Sequence, residues 1–222
     1  MTASFDILGE LAAELVHELR NSLQVIATQA YLGRDNAGRA QASCVVIERQ
    51  AAEAQSTIAD IFALADPANA LSLQRTTLGE LSAANGRSAP PQATFTFEGE
   101  DLPLTVHPRL FARALRLLYD NAVAIGATAI RTTTVAGTDH TFVFVEDDGP
   151  GVPEAIRDSL FTPFVTMRRG GTGLGLSLAK RIAKAHGGEL TLVERGAEND
   201  PGAPSDPLGG ALFCFALPPS RD

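Results

Sequence analysis

Apolar residues recur at intervals of three and four positions through the first third of the chain. This spacing places them on one face of a helix. In the first helix they are Leu8, Leu11, Leu15, Leu19, Leu23 and Ile26. A turn is predicted at residues 33–38, and in the second helix they are Val45, Ile47, Ala51, Ala54, Ile58, Ile61, Phe62 and Leu64. The pattern stops at Asp66, because a residue before a proline is pushed out of helix geometry. Residues 1–66 are therefore predicted to form a helical hairpin.

Two helices cannot by themselves cover both apolar faces of this hairpin. A four-helix bundle made by two chains would cover them, and so would packing of the hairpin against the rest of the same chain. We predict the bundle, and therefore a homodimer. The short segment 67–75 that follows is predicted to be a linker.

From residue 76 onwards the pattern changes between helix and strand. Helices are predicted over residues 108–124, where Pro108 suits a first turn, and over 174–186. Strands rich in Thr, Val and Phe are predicted over 94–97, 103–106, 129–136, 141–147, 189–194 and 211–217. Residues 196–210, rich in Gly, Pro, Asn and Asp, are predicted to be a mobile loop. The fold class is α+β, a helical hairpin followed over residues 76–219 by a two-layer α/β sandwich with a mixed sheet.

Composition and charge exclude several classes of protein. Apolar residues make up 45% of the 222 residues, which is enough for a core, and the net charge is −8. An acidic balance argues against non-specific nucleic-acid binding, which needs a basic surface. No apolar run approaches the ~20 residues that cross a bilayer, and the start of the chain lacks the basic lead of a signal peptide. We expect a cytoplasmic protein without membrane insertion, with Cys44 and Cys214 reduced.

A glycine-rich segment that leads into an amphipathic helix is the strongest chemical signal. It reads Gly170-Gly171-Thr172-Gly173-Leu174-Gly175-Leu176 and continues into the predicted helix. Glycines let the backbone come close to a ligand. The unpaired N–H groups and the dipole at the start of a helix favour an anion there. The segment therefore predicts a phosphate-binding site.

Two other segments carry polar groups suited to a nucleotide. Asn121 lies on the helix over 108–124, and its amide oxygen can help hold Mg²⁺, which prefers oxygen ligands. Asp147 ends a predicted strand and is followed by Gly149 and Gly151. A carboxylate there can accept a hydrogen bond from the exocyclic amine of adenine. Taken singly, Asn121 could be a solvated polar residue and the Asp-x-Gly-x-Gly segment an ordinary turn.

Taken together and in this order, these motifs resemble a known ATP-binding domain. Asn121, Asp147-x-Gly149-x-Gly151, Phe161-Thr162-Pro163-Phe164 and the glycine segment resemble the four sequence boxes shared by bacterial sensor histidine kinases, DNA gyrase, the Hsp90 chaperones and MutL. The resemblance implies ATP with Mg²⁺, with adenine on Asp147 and the metal on Asn121. It implies that the phosphates lie on Gly171, Thr172, Gly173, Leu174 and Gly175. It also implies a lid over residues 152–172, where Arg168 and Arg169 are either phosphate contacts or solvated arginines.

A motif on the first helix selects one branch of that superfamily. His17-Glu18-Leu19-Arg20-Asn21-Ser22-Leu23 resembles the phosphoacceptor box of a dimerising histidine kinase domain. At ~100° per residue, His17 lies about 160° from both Leu15 and Leu19, away from the apolar face. The resemblance implies that His17 takes the γ-phosphoryl group of ATP, with Glu18 as the general base or orienting partner. It also implies a response regulator as acceptor, and relatives with asparagine at the Asn21 position often dephosphorylate that regulator.

Two positions depart from the family pattern. The ATPases of the superfamily carry a water-activating glutamate four residues before the metal-binding asparagine, and this chain has Leu117 there. Efficient ATP hydrolysis is therefore disfavoured. Ser22 stands where histidine kinases usually have a proline that kinks the helix.

The sequence leaves other functions open. We predict an ATP-dependent protein histidine kinase, and the alternatives are a histidine phosphotransferase that does not use ATP, and an ATP-gated binding protein or Ser/Thr kinase of anti-sigma type. The pattern predicts no sensory domain before residue 5, and we therefore expect the chain to be a fragment of a longer protein or to take its signal from a partner.

Overall fold

The computed structural model describes residues 2–34, 37–65, 72–85, 93–163, 165–166, 173, 175–194 and 207–220. Within its helices, the side chains of residues 2–15, 17–18, 37, 53, 56–57, 59–65 and 82–85 lie outside this description. The chain divides into two compact units, Met1–Ala70 and Leu71–Asp222. None of the helices in the described part of the chain combines the length and apolar character that a membrane span requires.

The first unit is a pair of long helices, α1 (Thr2–Arg34) and α2 (Ala37–Ala65). Small residues lie where the two helices meet. A Cβ added at Gly33 would lie 3.0 Å from Ser43 Cβ, and the buried Ser43 hydroxyl donates to Gln29 Oε1 at 3.2 Å. Ser22 is also buried. The helical hairpin is confirmed, and α2 ends at Ala65, directly before the Asp66-Pro67 pair.

The described residues of the second unit form four helices and two sheets. In chain order its elements are β1 (Gln74–Thr76), α3 (Leu78–Asn85), β2 (Thr94–Gly99), β3 (Leu104–Val106), α4 (Pro108–Ala124), β4 (Ala129–Ala136), β5 (Thr141–Asp147), α5 (Glu154–Arg157), α6 (Gly175–Ala185), β6 (Glu189–Leu192) and β7 (Leu212–Leu217). The main sheet has the order β2-β4-β5-β7-β6, and β1 pairs with β3 in a small antiparallel sheet. In the main sheet β2 and β4 are parallel, and the other described pairs are antiparallel. This is the predicted mixed sheet.

Helices α4 and α6 pack against each other and on one face of the main sheet. Phe111 of α4 lies edge-on to Phe215 of β7, with ring centroids 5.1 Å apart. The Tyr119 hydroxyl is 2.9 Å from Thr132 Oγ1 of β4. The interior of this layer is apolar and fully buried, and includes Leu110, Leu115, Leu118, Val143, Ile182 and Leu190. The predicted two-layer α/β arrangement is confirmed.

Several local elements differ from the sequence prediction. Strand β1 lies at the end of the segment 67–75 predicted to be a linker, because it pairs with β3 across Thr76 and Leu104. Helix α3 was missed, although Thr77 and Glu80 carry the signature of a capping box. Thr77 Oγ1 accepts from Glu80 N–H at 3.3 Å, and Glu80 Oε2 accepts from Thr77 N–H at 3.2 Å. Residues 208–210 of the predicted mobile loop are hydrogen bonded to the end of β5; residues 196–206 of that loop lie outside the described residues.

A buried histidine joins the end of α6 to the start of α4. His186 Nε2 accepts the N–H of His107 at 2.9 Å, so the proton of a neutral ring lies on Nδ1, which is 2.7 Å from the carbonyl oxygen of Ile182. His107 is the N-cap of α4 and accepts from Leu110 N–H. Burial lowers the pKa of His186, the hydrogen bond to the Ile182 carbonyl raises it in part, and the nearby His107 lowers it. The ring therefore contributes to stability only while it is neutral.

We expect the free energy of unfolding to fall on acidification because of His186. Its folded-state pKa is lowered, so below pH ~6.5 the unfolded chain binds a proton that the folded chain resists. The slope from this group approaches ~1.4 kcal/mol per pH unit. Denaturant titrations between pH ~7.5 and ~5.5 would measure it. The His186→Gln variant keeps an acceptor without titrating and should lose less stability over this interval; an equal loss in both proteins would contradict the assignment.

Candidate functional site

The Asp147 carboxylate is held in a fixed position at the end of β5. Its side chain is 2% exposed, and Oδ1 accepts the N–H groups of Gly149 at 2.8 Å and Ala211 at 3.2 Å. Burial raises the pKa of Asp147, these two hydrogen bonds lower it in part, and the neighbouring Asp148 and Glu146 raise it. Both of these hydrogen bonds are made to Oδ1, which leaves Oδ2 suited to accept a hydrogen bond from a ligand.

The carboxylate of the adjacent Asp148 is hydrogen bonded to residues at the start of β4. Its carboxylate accepts from Thr128 N–H at 2.7 Å, from the Thr128 hydroxyl at 2.7 Å and from Ala129 N–H at 2.9 Å. Hydrogen bonds of this kind to the charged form lower the pKa of Asp148. Asp148 therefore fixes the start of β4. The contact between Asp147 and a ligand stays a prediction from the sequence.

Two glycines approach Asp147 so closely that a side chain would collide with it. A Cβ added at Gly149 would lie 2.8 Å from Asp147 Oδ1 and 3.3 Å from Ile125 Cδ1. A Cβ added at Gly210 would overlap Asp147 Oδ1 and its carbonyl oxygen, and would lie 2.6 Å from Gly149 N. Gly210 N–H also donates to the Asp147 carbonyl at 2.9 Å. Gly149 belongs to the predicted motif, whereas Gly210 was not predicted, because it lies more than 60 positions from Asp147 in a segment predicted to be mobile.

Asn121 lies on α4, in the same compact unit as Asp147. Asn121 is half-buried in the last turns of α4. One turn earlier, Leu117 faces the start of α6, where a Cβ added at Gly175 would be 3.6 Å from Leu117 Cδ2. An apolar side chain therefore occupies the position at which the resemblance implies a water-activating glutamate. Nothing at Leu117 can act as a base.

The glycine segment is described in part. Gly173 has φ +71°, a value that favours glycine, and Gly175 is the first residue of α6. Gly171, Thr172 and Leu174, together with Phe164, Arg168 and Arg169, lie outside the described residues. Gly151 has φ +73°, as a turn after β5 requires.

The described residues offer few side-chain ligands to a metal ion. Among the described residues, no group of three or more His, Cys, Asp or Glu side chains is placed to hold a metal ion. Magnesium is commonly held by one or two protein oxygens together with substrate phosphates and waters, and the Asn121 amide oxygen fits that role.

The phosphoacceptor motif lies on α1, in the other compact unit. His17 and Glu18 have helical backbones, and their side chains are outside the described residues. Asn21 is half-buried and the following Ser22 is 7% exposed. The roles of His17, Glu18 and Asn21 remain predictions from the sequence motif.

Comparison with known proteins gives a consistent result. The family model described as histidine kinase-, DNA gyrase B-, and HSP90-like ATPase matches residues 106–221. The sensor histidine kinase ZraS of Klebsiella oxytoca is 33% identical over 95% of this chain and 46% of its own length. This chain therefore spans about half the length of that relative.

Solved structures share the fold. The ATP-binding domain of PrrB from Mycobacterium tuberculosis is 24% identical with a TM-score of 0.53, covering 67% of this chain and 98% of that domain. Histidine kinase ThkA, solved in complex with response regulator protein TrrA, is 24% identical with a TM-score of 0.64. That match covers 97% of this chain and 63% of the kinase. At these identities the likeness concerns the fold alone.

Proposed function

The chain belongs to the family of histidine kinase-, DNA gyrase B- and HSP90-like ATPases, and from this premise we propose that it is an ATP-dependent protein histidine kinase that autophosphorylates His17. One combination of features carries the proposal. A histidine-bearing helical hairpin and a unit with the Asp147 acceptor occur in one chain, and a sensor histidine kinase aligns over 95% of that chain.

The nucleotide is ATP, bound in the second unit. Asp147 accepts a hydrogen bond from the exocyclic amine of adenine, because its Oδ1 already accepts from two backbone N–H groups while the carboxylate has further lone pairs. Gly149 and Gly151 turn the backbone around the base. The phosphates lie on the glycine segment Gly171, Thr172, Gly173, Leu174 and Gly175 at the start of α6. Asn121 holds Mg²⁺, which supplies charge neutralisation when it is bound.

The reaction is a phosphoryl transfer to an imidazole nitrogen. A ring nitrogen of His17 forms a bond to the γ-phosphorus, and the bond from that phosphorus to the bridging oxygen of ADP breaks, so ADP leaves with the bonding electrons. The proton on the other ring nitrogen passes to Glu18 or is held by it. An imidazole with a pKa near ~6.5 is largely unprotonated at neutral pH and is a competent nucleophile. Leu117 favours transfer to protein over transfer to water.

The phosphoryl acceptor downstream is an aspartate of a response regulator. The ThkA structure contains a response regulator, which supports this class of partner. Asn21 lies one helical turn from His17 on α1, and its amide orients a water that attacks the phosphorylated regulator in the reverse, phosphatase reaction.

The hairpin functions as a homodimer in a four-helix bundle. Large apolar side chains stay exposed on the single hairpin, with Val16 at 54%, Leu23 at 63% and Val45 at 59%. Val16 and Leu23 are seven residues apart and therefore share a face of α1. A second copy of the hairpin would cover this face.

We expect sedimentation equilibrium to give a dimer for the chain and a monomer for the Leu23→Glu variant, because a charge cannot be buried in an apolar seam without a partner. Gln24→Glu adds the same charge at the neighbouring exposed position and should stay dimeric. A chain that is monomeric at all concentrations, or a Leu23→Glu variant that still dimerises, would refute the bundle.

The chemical stability of the phosphorylated protein tests the proposed activity. A phosphoryl group on imidazole is lost in acid and survives alkali, whereas esters of Ser and Thr behave in the opposite way. After incubation with γ-labelled ATP and Mg²⁺, the chain should carry an acid-labile, alkali-stable label. Failure of the chain to take any label while ATP binds would instead indicate a binding protein, and failure to bind ATP would indicate a phosphotransferase.

The Asp147→Asn variant should bind ATP roughly 10- to 100-fold more weakly. The NH₂ group of the new asparagine would face the exocyclic amine of adenine, and both groups are hydrogen-bond donors. The same substitution removes a buried charge, so the free energy of unfolding should be unchanged or higher. Calorimetric titration with ATP and thermal unfolding check both parts. Weaker binding together with a large loss of stability would mean that Asp147 acts on the fold rather than on the nucleotide.

A further inference from the structure

Glu146 and Asp147 are adjacent acids at the end of β5, and side chains alternate between the two faces of a strand. Asp147 lies on the face that carries α4 and α6. Glu146 lies on the opposite face, where it is 1% exposed. A carboxylate this deeply buried requires partners, and those partners connect it to its neighbour.

The first partner of Glu146 is a buried cation on β4. Arg131 stands directly opposite Glu146 in the antiparallel ladder, and its Nη2 is 2.7 Å from Glu146 Oε2. Both side chains are buried, at 7% and 1% exposure. Arg131 Nη1 is also 3.5 Å from the more exposed Glu98 on β2. The pair fixes one oxygen of the Glu146 carboxylate.

The second partner is the backbone of the segment that precedes β7. Glu146 Oε1 accepts the N–H of Leu208 at 2.6 Å. Two residues later, Gly210 N–H donates to the Asp147 carbonyl at 2.9 Å, and the N–H of Ala211 donates to Asp147 Oδ1 at 3.2 Å. One short segment, residues 208–211, is therefore held at its start by Glu146 and at its end by Asp147.

From this arrangement we propose that Glu146 is a positioning residue for adenine recognition. Through Leu208 it anchors residues 208–211, and that segment in turn positions Asp147 through the N–H groups of Gly210 and Ala211. Arg131 orients the Glu146 carboxylate through their ion pair. The inference rests on the proposed ATP site, because it assigns Asp147 the contact with adenine.

The Glu146→Gln variant tests this role. A carboxylate offers an acceptor oxygen to each of its two donors, whereas an amide has one oxygen and one NH₂ group. The charged Arg131 is the stronger donor and takes the amide oxygen, so the NH₂ group faces the Leu208 N–H, which loses its acceptor on this side chain. The segment then no longer holds Asp147 in register with the base.

The readout is the preference for ATP over inosine triphosphate, in which a carbonyl oxygen replaces the exocyclic amine. Asp147 attracts the amine and repels the carbonyl oxygen, so the ratio of the two dissociation constants measures its position. In Glu146→Gln we expect this preference to fall roughly tenfold, the scale of one hydrogen bond to a charged group. In Glu194→Gln, which removes a carboxylate paired with Arg157 at 2.7 Å on the exposed surface, the preference should not change.

Two further variants keep the test decisive. Arg131→Met/Glu146→Met removes both charges together, avoids an unpaired buried ion and should lower the preference to the same extent. In an Asp147→Asn background, Glu146→Gln should have no additional effect on the preference, because it acts through Asp147. Affinities for both nucleotides that fall in parallel, or do not fall, would overturn the proposal. If Asp147→Asn itself leaves the preference unchanged, the proposed ATP site fails with it.

Discussion

The His17→Gln variant is expected to take up no acid-labile phosphoryl group from ATP, while it binds ATP as tightly as the parent chain. The glutamine amide nitrogen is not nucleophilic, so the first bond of the proposed transfer cannot form. Nucleotide binding is unaffected because Asp147 and its partners lie in the other compact unit. Labelling with γ-labelled ATP, followed by calorimetric titration with ATP, measures the two quantities separately.

The chain offers a matched control in His140, an exposed histidine between β4 and β5. His140→Gln should leave labelling unchanged. A label that persists at the same level in His17→Gln would move the phosphoacceptor to another residue. Loss of the label in both variants would point to a general effect on the protein.

The Gly210→Ala variant should bind ATP about 100-fold more weakly than the parent chain, the scale of losing well-placed charged hydrogen bonds. The new methyl group would overlap the Asp147 carboxylate and carbonyl oxygens and crowd Gly149 N. Two of these are backbone atoms, so the end of β5 must move, at a cost of about 1–3 kcal/mol in the free energy of unfolding. Calorimetric titration and denaturant unfolding measure both losses.

Gly209→Ala is a control that distinguishes the steric contact of residue 210 with Asp147 from the effect of backbone strain alone. Gly209 has φ +102°, and a Cβ added there would meet nothing within 4 Å. The variant should therefore lose stability through the strained φ, by about 1–3 kcal/mol, and keep most of its affinity for ATP. If both variants lost ATP affinity equally, the contact between Gly210 and Asp147 would not be the cause.

The fold could be predicted where local signals were strong. The observed bounds of α4, β4 and β5 coincide with the predicted ones, because Pro108 marks a helix start and the two strands have clear composition and turn signals at each end. Strand β1 could not be found in this way, since three residues carry no periodicity and β1 exists only by pairing with β3. Helix α3 was within reach, because its capping box is a local signal.

The residues of the candidate site show the same difference between local sequence signals and contacts distant in sequence. Asp147, Gly149 and Asn121 belong to contiguous motifs, so their residue types and spacing were informative. Gly210, Glu146 and Arg131 act through contacts between residues distant in sequence or across strands. Such contacts depend on strand register and on where a loop folds back onto the sheet. Neither can be inferred from a single segment of the sequence.

The claim that ATP held at Asp147 phosphorylates His17 is tested most directly by locating the phosphoryl group. The chain is incubated with ATP and Mg²⁺, kept alkaline, digested and mapped by mass spectrometry, with Asp147→Asn in parallel. We predict a single phosphopeptide, with the phosphoryl group on His17, strongly reduced in Asp147→Asn. A phosphoryl group on any other residue, or equal phosphorylation in the two proteins, would contradict the account.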